Sequence, residues 1–132
     1  MQSDSLARGY AALVGVVLVF IGLLVFLNNP IVGDAGNNPL FVTGSTHNVV
    51  HLFTGAVALF VAFGLAGGRQ ATGVIAFGVL YLLIFVALLI SPNLFGLLLP
   101  VSVADHALHF GVGIVSVGVG MMARANTASM TR

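Results

Sequence analysis

The chain has 132 residues, of which 59% are hydrophobic and only 5% are charged. Soluble domains carry about 25% charged residues, so the apolar surface of this chain must face lipid rather than water. The net charge of +1 argues against nucleic acid as a partner, because nucleic acid is bound through basic patches. The absence of cysteine excludes disulfides, thiolate metal sites and covalently attached c-type haem.

Four apolar segments follow one another along the chain, and each is close to the about 20 residues that cross a bilayer as a helix. They cover about residues 6–27, 46–65, 71–90 and 102–123. The first segment is longer than the about 7–15 residues of a signal-peptide core, and no small-x-small cleavage site follows it. The sequence therefore predicts an all-α integral membrane four-helix bundle that forms a single transmembrane domain.

The connections between the segments carry turn residues. Residues 28–45 form a loop rich in Asn, Gly and Pro, within which the apolar residues 40–42 are expected to fold back onto the mouth of the bundle. Ser45 or Thr46 is the expected N-cap of the second helix. Residues 66–70 are expected to form a tight turn between the second and third helices.

The arginines indicate the orientation of the bundle. With four spans, Arg8, Arg69, Arg124 and Arg132 all fall on the side of the two termini. Positive charge favours the cytoplasmic side, which predicts cytoplasmic N and C termini in a multi-pass protein of the cytoplasmic membrane. All four histidines then lie at the extracytoplasmic ends of the second and fourth helices.

A weak internal repeat predicts two helical hairpins. Residues 8–30 resemble residues 69–92, since each runs from an arginine through an aliphatic stretch to a proline. Residues 51–55 match residues 109–113, with a glycine four positions after a histidine in each. Hairpins repeated in parallel about an axis along the membrane normal would bring the two histidines face to face. The alternative is that aliphatic helices resemble each other by composition alone.

The candidate site contains His47, His51, Asp105, His106 and His109. Spacings of three and four residues place these side chains on one face of each helix. The same faces continue with small residues, which allow membrane helices to approach closely and predict that the faces point into the bundle. These small residues are Gly55, Ala58, Ala62, Gly113, Ser116 and Gly120.

Four interpretations of this cluster are open. The first is a structural polar network in which Asp105 forms a capping box with the backbone of Ser102. The second is a site for zinc, copper or iron, because imidazole is a common ligand of these metals. Its ligands would be His47, His51 and His109, with Asp105 or His106.

The third interpretation is a non-covalent haem or another tetrapyrrole between His51 and His109, with Gly55 and Gly113 making room for the macrocycle. The fourth is the handling of protons or small ligands, because histidine titrates near neutral pH. Hydrolytic catalysis is not favoured, since Ser102 beside the histidines is better explained as a cap. A transporter is not favoured either, because the centres of the spans lack charges and prolines.

Three motifs resemble a known family. They are Leu-Ala-Arg-Gly-Tyr at 6–10, Thr-His-Asn-x-x-His-Leu-x-x-Gly at 46–55 and Ala-Asp-His-x-Leu-His-x-x-x-Gly at 104–113. Together they resemble a bacterial membrane family catalogued as domain of unknown function 4383. The resemblance implies four spans in a bacterial-type membrane and brings no activity with it.

The sequence as a whole favours a small non-catalytic membrane protein that self-associates or serves as an accessory subunit of a larger membrane assembly. Its expected partners are the lipid bilayer and either other membrane subunits or further copies of the chain. The alternative is a membrane redox protein that binds a transition metal or haem through the histidine cluster.

Overall fold

The computed structural model describes residues 2–129. Four helices dominate it: α1 (Gln2–Leu24), α2 (Ser45–Gly64), α3 (Gly67–Ile90) and α4 (Val103–Ser129). Each is long and apolar enough to cross a membrane, which confirms the prediction of an all-helical fold with four such segments. The loop between α1 and α2 also contains a short parallel pair of strands, β1 (Val32–Gly33) and β2 (Phe41–Val42).

Several helix ends differ from the predicted ones. Helix α1 ends three residues early, where the side-chain amide of Asn29 donates to the carbonyl of Leu24 at 2.8 Å. The predicted N-cap of α2 is wrong, because Gly44 holds that position and both Ser45 and Thr46 lie inside the helix. Helix α3 begins at Gly67, whereas residues 66–70 were expected to form the turn, so the connection between α2 and α3 is shorter than expected. Gly67 has a positive φ of 57°, a conformation that glycine adopts readily.

Helix α4 is longer than its sequence suggested. It continues to Ser129, six residues past the predicted end of the fourth span. Arg132, the last of the four arginines used to orient the chain, lies outside the described residues.

The two ends of the bundle differ in their side chains. Ala7, Ala62, Ala71 and Ala123 pack in one buried cluster, so the start of α1, the end of α2, the start of α3 and the end of α4 lie together. This end is called the arginine end, because Arg8, Arg69 and Arg124 belong to these same helix termini. Helices α2 and α4 begin at the opposite end, which is called the histidine end.

Glycines bring sequential helices into close contact. A Cβ on Gly55 of α2 would lie 2.8 Å from Cγ2 of Val19 and 3.0 Å from the carbonyl oxygen of Gly15 in α1. A Cβ on Gly78 of α3 would lie 2.7 Å from the carbonyl oxygen of Gly113 in α4. Helix α1 therefore packs tightly along α2, and α3 along α4, through small residues as is common in membranes.

Two tyrosines join these helix pairs inside the bundle. The hydroxyl of Tyr10 in α1 lies 2.7 Å from Oγ of Ser116 in α4. The hydroxyl of Tyr81 in α3 lies 2.9 Å from Oγ1 of Thr54 in α2. Hydrogen bonds of this kind are favourable in an apolar interior, where a lone hydroxyl would have no water to bind.

Candidate functional site

Three histidines converge at the histidine end of the bundle. His47 and His51 of α2 are each 1% exposed, and His109 of α4 is 2% exposed. Their ring centroids lie 4.5 Å apart for His47 and His51, 5.9 Å for His47 and His109, and 6.2 Å for His51 and His109. The predicted convergence of imidazoles from two helices is confirmed.

The helix faces below the histidines point inward, as predicted. Ala58 and Ala62 of α2 and Ser116 of α4 are at most 2% exposed, and the three glycines of the same faces are also buried. The backbones of α2 and α4 approach each other less than those of sequential helices do. Side chains therefore fill the space between these two helices, and at the histidine end those side chains are the imidazoles.

The histidine nitrogens have few partners in the protein. Nδ1 of His109 lies 2.6 Å from the carbonyl oxygen of Asp105, which can only accept, so Nδ1 carries the proton and Nε2 has a free lone pair. Within residues 2–129, no hydrogen bond of good geometry reaches either ring nitrogen of His47 or His51, although the backbone of Val42 lies close to the ring of His47. Buried polar groups are almost always paired, so four unpaired nitrogens in one place require an explanation.

Asp105 forms the predicted capping box with Ser102. The backbone N–H of Ser102 donates to Oδ2 of Asp105 at 2.8 Å, and the backbone N–H of Asp105 donates to Oγ of Ser102 at 3.2 Å. This reciprocal pair satisfies donors at the start of α4. The structural role expected of Asp105 is therefore present.

Asp105 also fastens the long loop to α4, a contact that the sequence did not predict. The backbone N–H of Val42 in β2 donates to Oδ2 of Asp105 at 3.1 Å. The Ser102 hydroxyl lies 2.9 Å from the carbonyl oxygen of Leu40. Phe41 packs against Ile21, Leu24 and Val32, so the segment folds back onto the bundle mouth as expected.

The second carboxylate oxygen of Asp105 has no such role. The residue is 0% exposed, and Oδ1 lacks a hydrogen-bond partner in the part of the chain that the structure describes. Oγ1 of Thr43 and Oδ1 of Asn48 are buried at this same end and are likewise unpartnered among the described residues. The unsatisfied polar atoms thus concentrate around the three histidines.

His106 lies apart from the other three histidines. Its ring meets the ring of Phe85 in α3 edge-on, with centroids 6.2 Å apart. The ligand atoms that lie within 4.8 Å of one another belong to His47, His51 and His109. Of the predicted metal ligands, the structure therefore brings three histidines together and directs His106 elsewhere.

Tyr81 completes the surroundings of the site and was missed in the sequence. Its ring stacks on that of His109 with centroids 5.5 Å apart, while its hydroxyl binds Thr54. The signal was available, because Tyr81 is one of two tyrosines in the chain and lies in an apolar helix. A buried tyrosine hydroxyl needs a polar neighbour, which points to the polar face of another helix.

An open cavity leads to the site from the histidine end. Its volume is about 720 Å³, and its lining includes Thr43 and His47 together with polar loop residues. Asn28, Asn29, Asp34 and Asn37 are among those loop residues. The cavity gives small polar solutes a route to the edge of the buried histidines.

The space expected for a macrocycle is taken up by other helices. A Cβ on Gly55 would lie 2.9 Å from the backbone nitrogen of Val19, and one on Gly113 would lie 2.7 Å from Cδ2 of Leu82. These glycines therefore admit α1 and α3 and do not open a slot between His51 and His109. The expectation that they make room for haem is not supported.

These features define a class of protein: a helical protein with four membrane-spanning-capable segments and a buried histidine cluster near one end. Residues 8–122 match the model of the family described as domain of unknown function DUF4383. The chain belongs to this family, which confirms the resemblance carried by the three motifs. Searches of curated proteins and of solved structures each found no match.

Proposed function

We propose that the chain is a small non-catalytic integral membrane protein of the cytoplasmic membrane, which self-associates or serves as an accessory subunit of a membrane assembly. It forms one transmembrane domain of four spans, with both termini cytoplasmic. The non-catalytic assignment is supported by the Ser102 hydroxyl, which lies 2.8 Å from Oδ2 of Asp105 and is engaged in the helix cap. Oδ2 also accepts from the backbone N–H groups of Val42 and Ser102, so this carboxylate is committed to the cap and the loop and not to activating the hydroxyl as a nucleophile.

The proposed orientation is supported by the distribution of charge. Arg8, Arg69 and Arg124 belong to the arginine end, whereas Asp34 and Asp105 belong to the histidine end. An excess of arginine favours the cytoplasmic side. The close packing of α1 with α2 and of α3 with α4 also supports two hairpins repeated in parallel.

Self-association is supported chiefly by one uncovered face of α4. Ala104, Gly111, Gly118 and Ala125 recur every seven residues and therefore share a face. A Cβ at Gly111 or Gly118 would meet nothing within 4 Å among the described residues, whereas one at Gly120 would lie 2.5 Å from Ile75. Small residues on an open face permit close approach of another membrane helix.

The association is tested by measuring the oligomeric state in lipid bilayers, with single-molecule photobleaching or crosslinking. Gly118→Leu is expected to weaken self-association roughly tenfold, because the larger side chain blocks close approach. Val79→Leu is the control, since Val79 is exposed on α3 and does not belong to the α4 face. Wild-type protein that is monomeric and isolated without a partner subunit would contradict the proposal.

The orientation is tested separately, because the chain has no native cysteine. Asn37→Cys in the first loop is expected to react with a membrane-impermeant maleimide in intact cells. Ser129→Cys near the end of α4 is expected to react only after the membrane is opened. The reverse pattern would place the histidine end in the cytoplasm and refute the proposed topology.

A second function is favoured by the three buried histidines, namely the binding of a cofactor through His51 and His109. The helix packing around Gly55 and Gly113 disfavours haem. A metal ion needs far less room, and the four unpaired nitrogens of His47 and His51 favour it.

A further inference from the structure

We propose that His47, His51 and His109 together bind one divalent transition-metal ion of the zinc type, with Asp105 as a positioning residue beside it. This inference goes beyond the membrane-subunit role and does not depend on it. If the chain self-associates without metal, or binds metal as a monomer, the membrane-subunit role and the metal site would be shown to be independent of each other.

The three histidines are buried with few hydrogen-bond partners. Each ring is at most 2% exposed, yet within the described chain no hydrogen bond of good geometry reaches a ring nitrogen of His47 or His51, although the backbone of Val42 lies close to the ring of His47. A buried polar group without a partner costs free energy, and a fold does not usually accumulate several in one place. A metal ion would bind one nitrogen of each ring and so pair two of these four nitrogens.

The donor atoms of the three rings lie close together. One nitrogen from each of His47, His51 and His109 lies within 4.8 Å of the others. A tetrahedral zinc ion with bonds of about 2.0–2.1 Å holds its ligand nitrogens about 3.4 Å apart. Rotation of the rings by about 1 Å at the nitrogens closes this difference without moving a helix.

His109 already has the tautomer that metal binding requires. Its Nδ1–H donates to the carbonyl oxygen of Asp105, so Nε2 is the available ligand atom. Metal-binding histidines almost always donate the second ring N–H to a carbonyl or carboxylate in this way. Asp105 therefore orients a ligand through its backbone.

The charge of Asp105 also favours a cation at this site. Asp105 is fully buried, and the described arginines, Arg8, Arg69 and Arg124, belong to the opposite end of the bundle. A buried carboxylate is costly unless a positive charge lies near it. A divalent cation on the adjacent histidines would provide that charge, while Oδ2 continues to hold Val42 and Ser102.

The donor set selects the class of metal. Three imidazoles suit zinc, copper, nickel or iron, whereas magnesium and calcium prefer oxygen ligands. The open cavity reaches His47, and its lining includes Asp34 and several asparagines. A cation can therefore approach from the extracytoplasmic side that the topology proposal assigns to this end.

The test uses the full-length protein in lipid nanodiscs, stripped with a chelator and then titrated with Zn²⁺ or Co²⁺. The wild-type protein is expected to bind one ion per chain by elemental analysis, and Co²⁺ is expected to give the strong visible absorption of a tetrahedral site. His47→Gln, His51→Gln and His109→Gln are each expected to weaken Zn²⁺ binding by more than about 100-fold.

His106→Gln is the matched control for the ligand set. It removes the same kind of side chain from the same end of α4, but its ring packs against Phe85. Zn²⁺ affinity is expected to stay within about twofold of wild type. A loss as large as that of His109→Gln would overturn the assignment of ligands.

Asp105→Asn tests the positioning role. It removes the charge but keeps an oxygen for the cap and the backbone carbonyl for His109. Zn²⁺ affinity is expected to fall by about 10–100-fold, with one ion per chain retained. An affinity equal to that of wild type would refute the role of the carboxylate.

Variants that fail to fold do not block the test, because X-ray absorption of zinc-loaded wild-type protein needs no substitution. Three imidazole ligands are expected at about 2.0 Å. Stripped wild-type protein that remains helical and binds neither Zn²⁺ nor Co²⁺ would overturn the proposal. Wild-type protein isolated with a Soret band that disappears in His51→Gln and His109→Gln would overturn it in favour of haem.

Discussion

Two buried polar regions at opposite ends of the bundle differ in how their hydrogen bonds are satisfied. At the arginine end, the side-chain amide nitrogen of Gln70 donates to the carbonyl oxygens of Val61, Ala62 and Leu65 at 2.8–3.1 Å. At the histidine end, His47 and His51 have no hydrogen bond through their rings within residues 2–129. Both regions are almost completely excluded from solvent.

The contrast separates a structural role from a binding role. Gln70 closes the last turn of α2, whose terminal carbonyls have no partner within the helix. The side-chain amide nitrogen of Gln70 thus has its hydrogen-bond partners within the protein. Its amide oxygen has no partner among the described residues. The histidines are buried to the same degree, but the protein supplies few hydrogen-bond partners for their ring nitrogens. The metal proposal therefore concerns the histidines and not Gln70.

The largest expected effect in this comparison is that of Gln70→Leu. It leaves three carbonyl oxygens at the end of α2 without a donor and is expected to lower the free energy of unfolding by about 3 kcal/mol. The measurement is unfolding of the protein in mixed detergent micelles, followed by circular dichroism. Arg69→Gln, at the exposed neighbouring residue, is expected to change it by less than about 0.5 kcal/mol. If Gln70→Leu were as stable as wild type, the structural role assigned to Gln70 at the end of α2 would be wrong.

Asp105→Ala is expected to have the next largest effect. It removes the acceptor for the backbone N–H groups of Val42 and Ser102 and is expected to cost about 2 kcal/mol. The loop is expected to loosen with it, so amide hydrogen exchange at Val42 should accelerate while exchange near Gln70 stays unchanged. Uniform acceleration along the chain would show that Asp105 supports the whole bundle and not the loop.

Tyr81→Phe is expected to have a smaller effect. It removes the hydroxyl that binds Thr54 but keeps the ring that stacks on His109. Thr54 retains the carbonyl oxygen of Val50 at 2.8 Å, so the cost is expected to be about 1 kcal/mol in the same unfolding assay. Zn²⁺ affinity should be nearly unchanged, and a large loss would place Tyr81 in the site.

Periodicity and composition predicted the features that depend on one helix at a time. The spacing of His47 and His51, and of Asp105 and His109, was sufficient to predict which face turns inward. The same spacing grouped His106 with the others. In the structure its ring meets Phe85 of α3 edge-on and lies apart from the cluster, a contact that depends on where α3 packs. A single sequence does not contain that information.

The remaining features depend on contacts between distant segments. The bond from Val42 to Asp105 spans 63 residues and requires a two-residue strand pair that no local pattern marks. Gln70 was treated as part of a tight turn, although a lone glutamine at the start of an apolar helix is an informative signal. The carbonyl groups that it meets belong to the backbone of α2, and any sequence would supply them.

His51→Leu is expected to have the smallest effect on the stripped protein and tests the contrast most directly. Replacing a buried polar side chain that has no partner by an apolar one of similar size is neutral or stabilising, so the free energy of unfolding should not fall by more than about 0.5 kcal/mol. Saturating Zn²⁺ then separates the two proteins. At 100 times the dissociation constant, wild type should gain about 2.7 kcal/mol, whereas His51→Leu should gain almost nothing at that concentration. A strongly destabilised stripped variant would mean that His51 has a partner within the fold, and the histidine end would then resemble the arginine end.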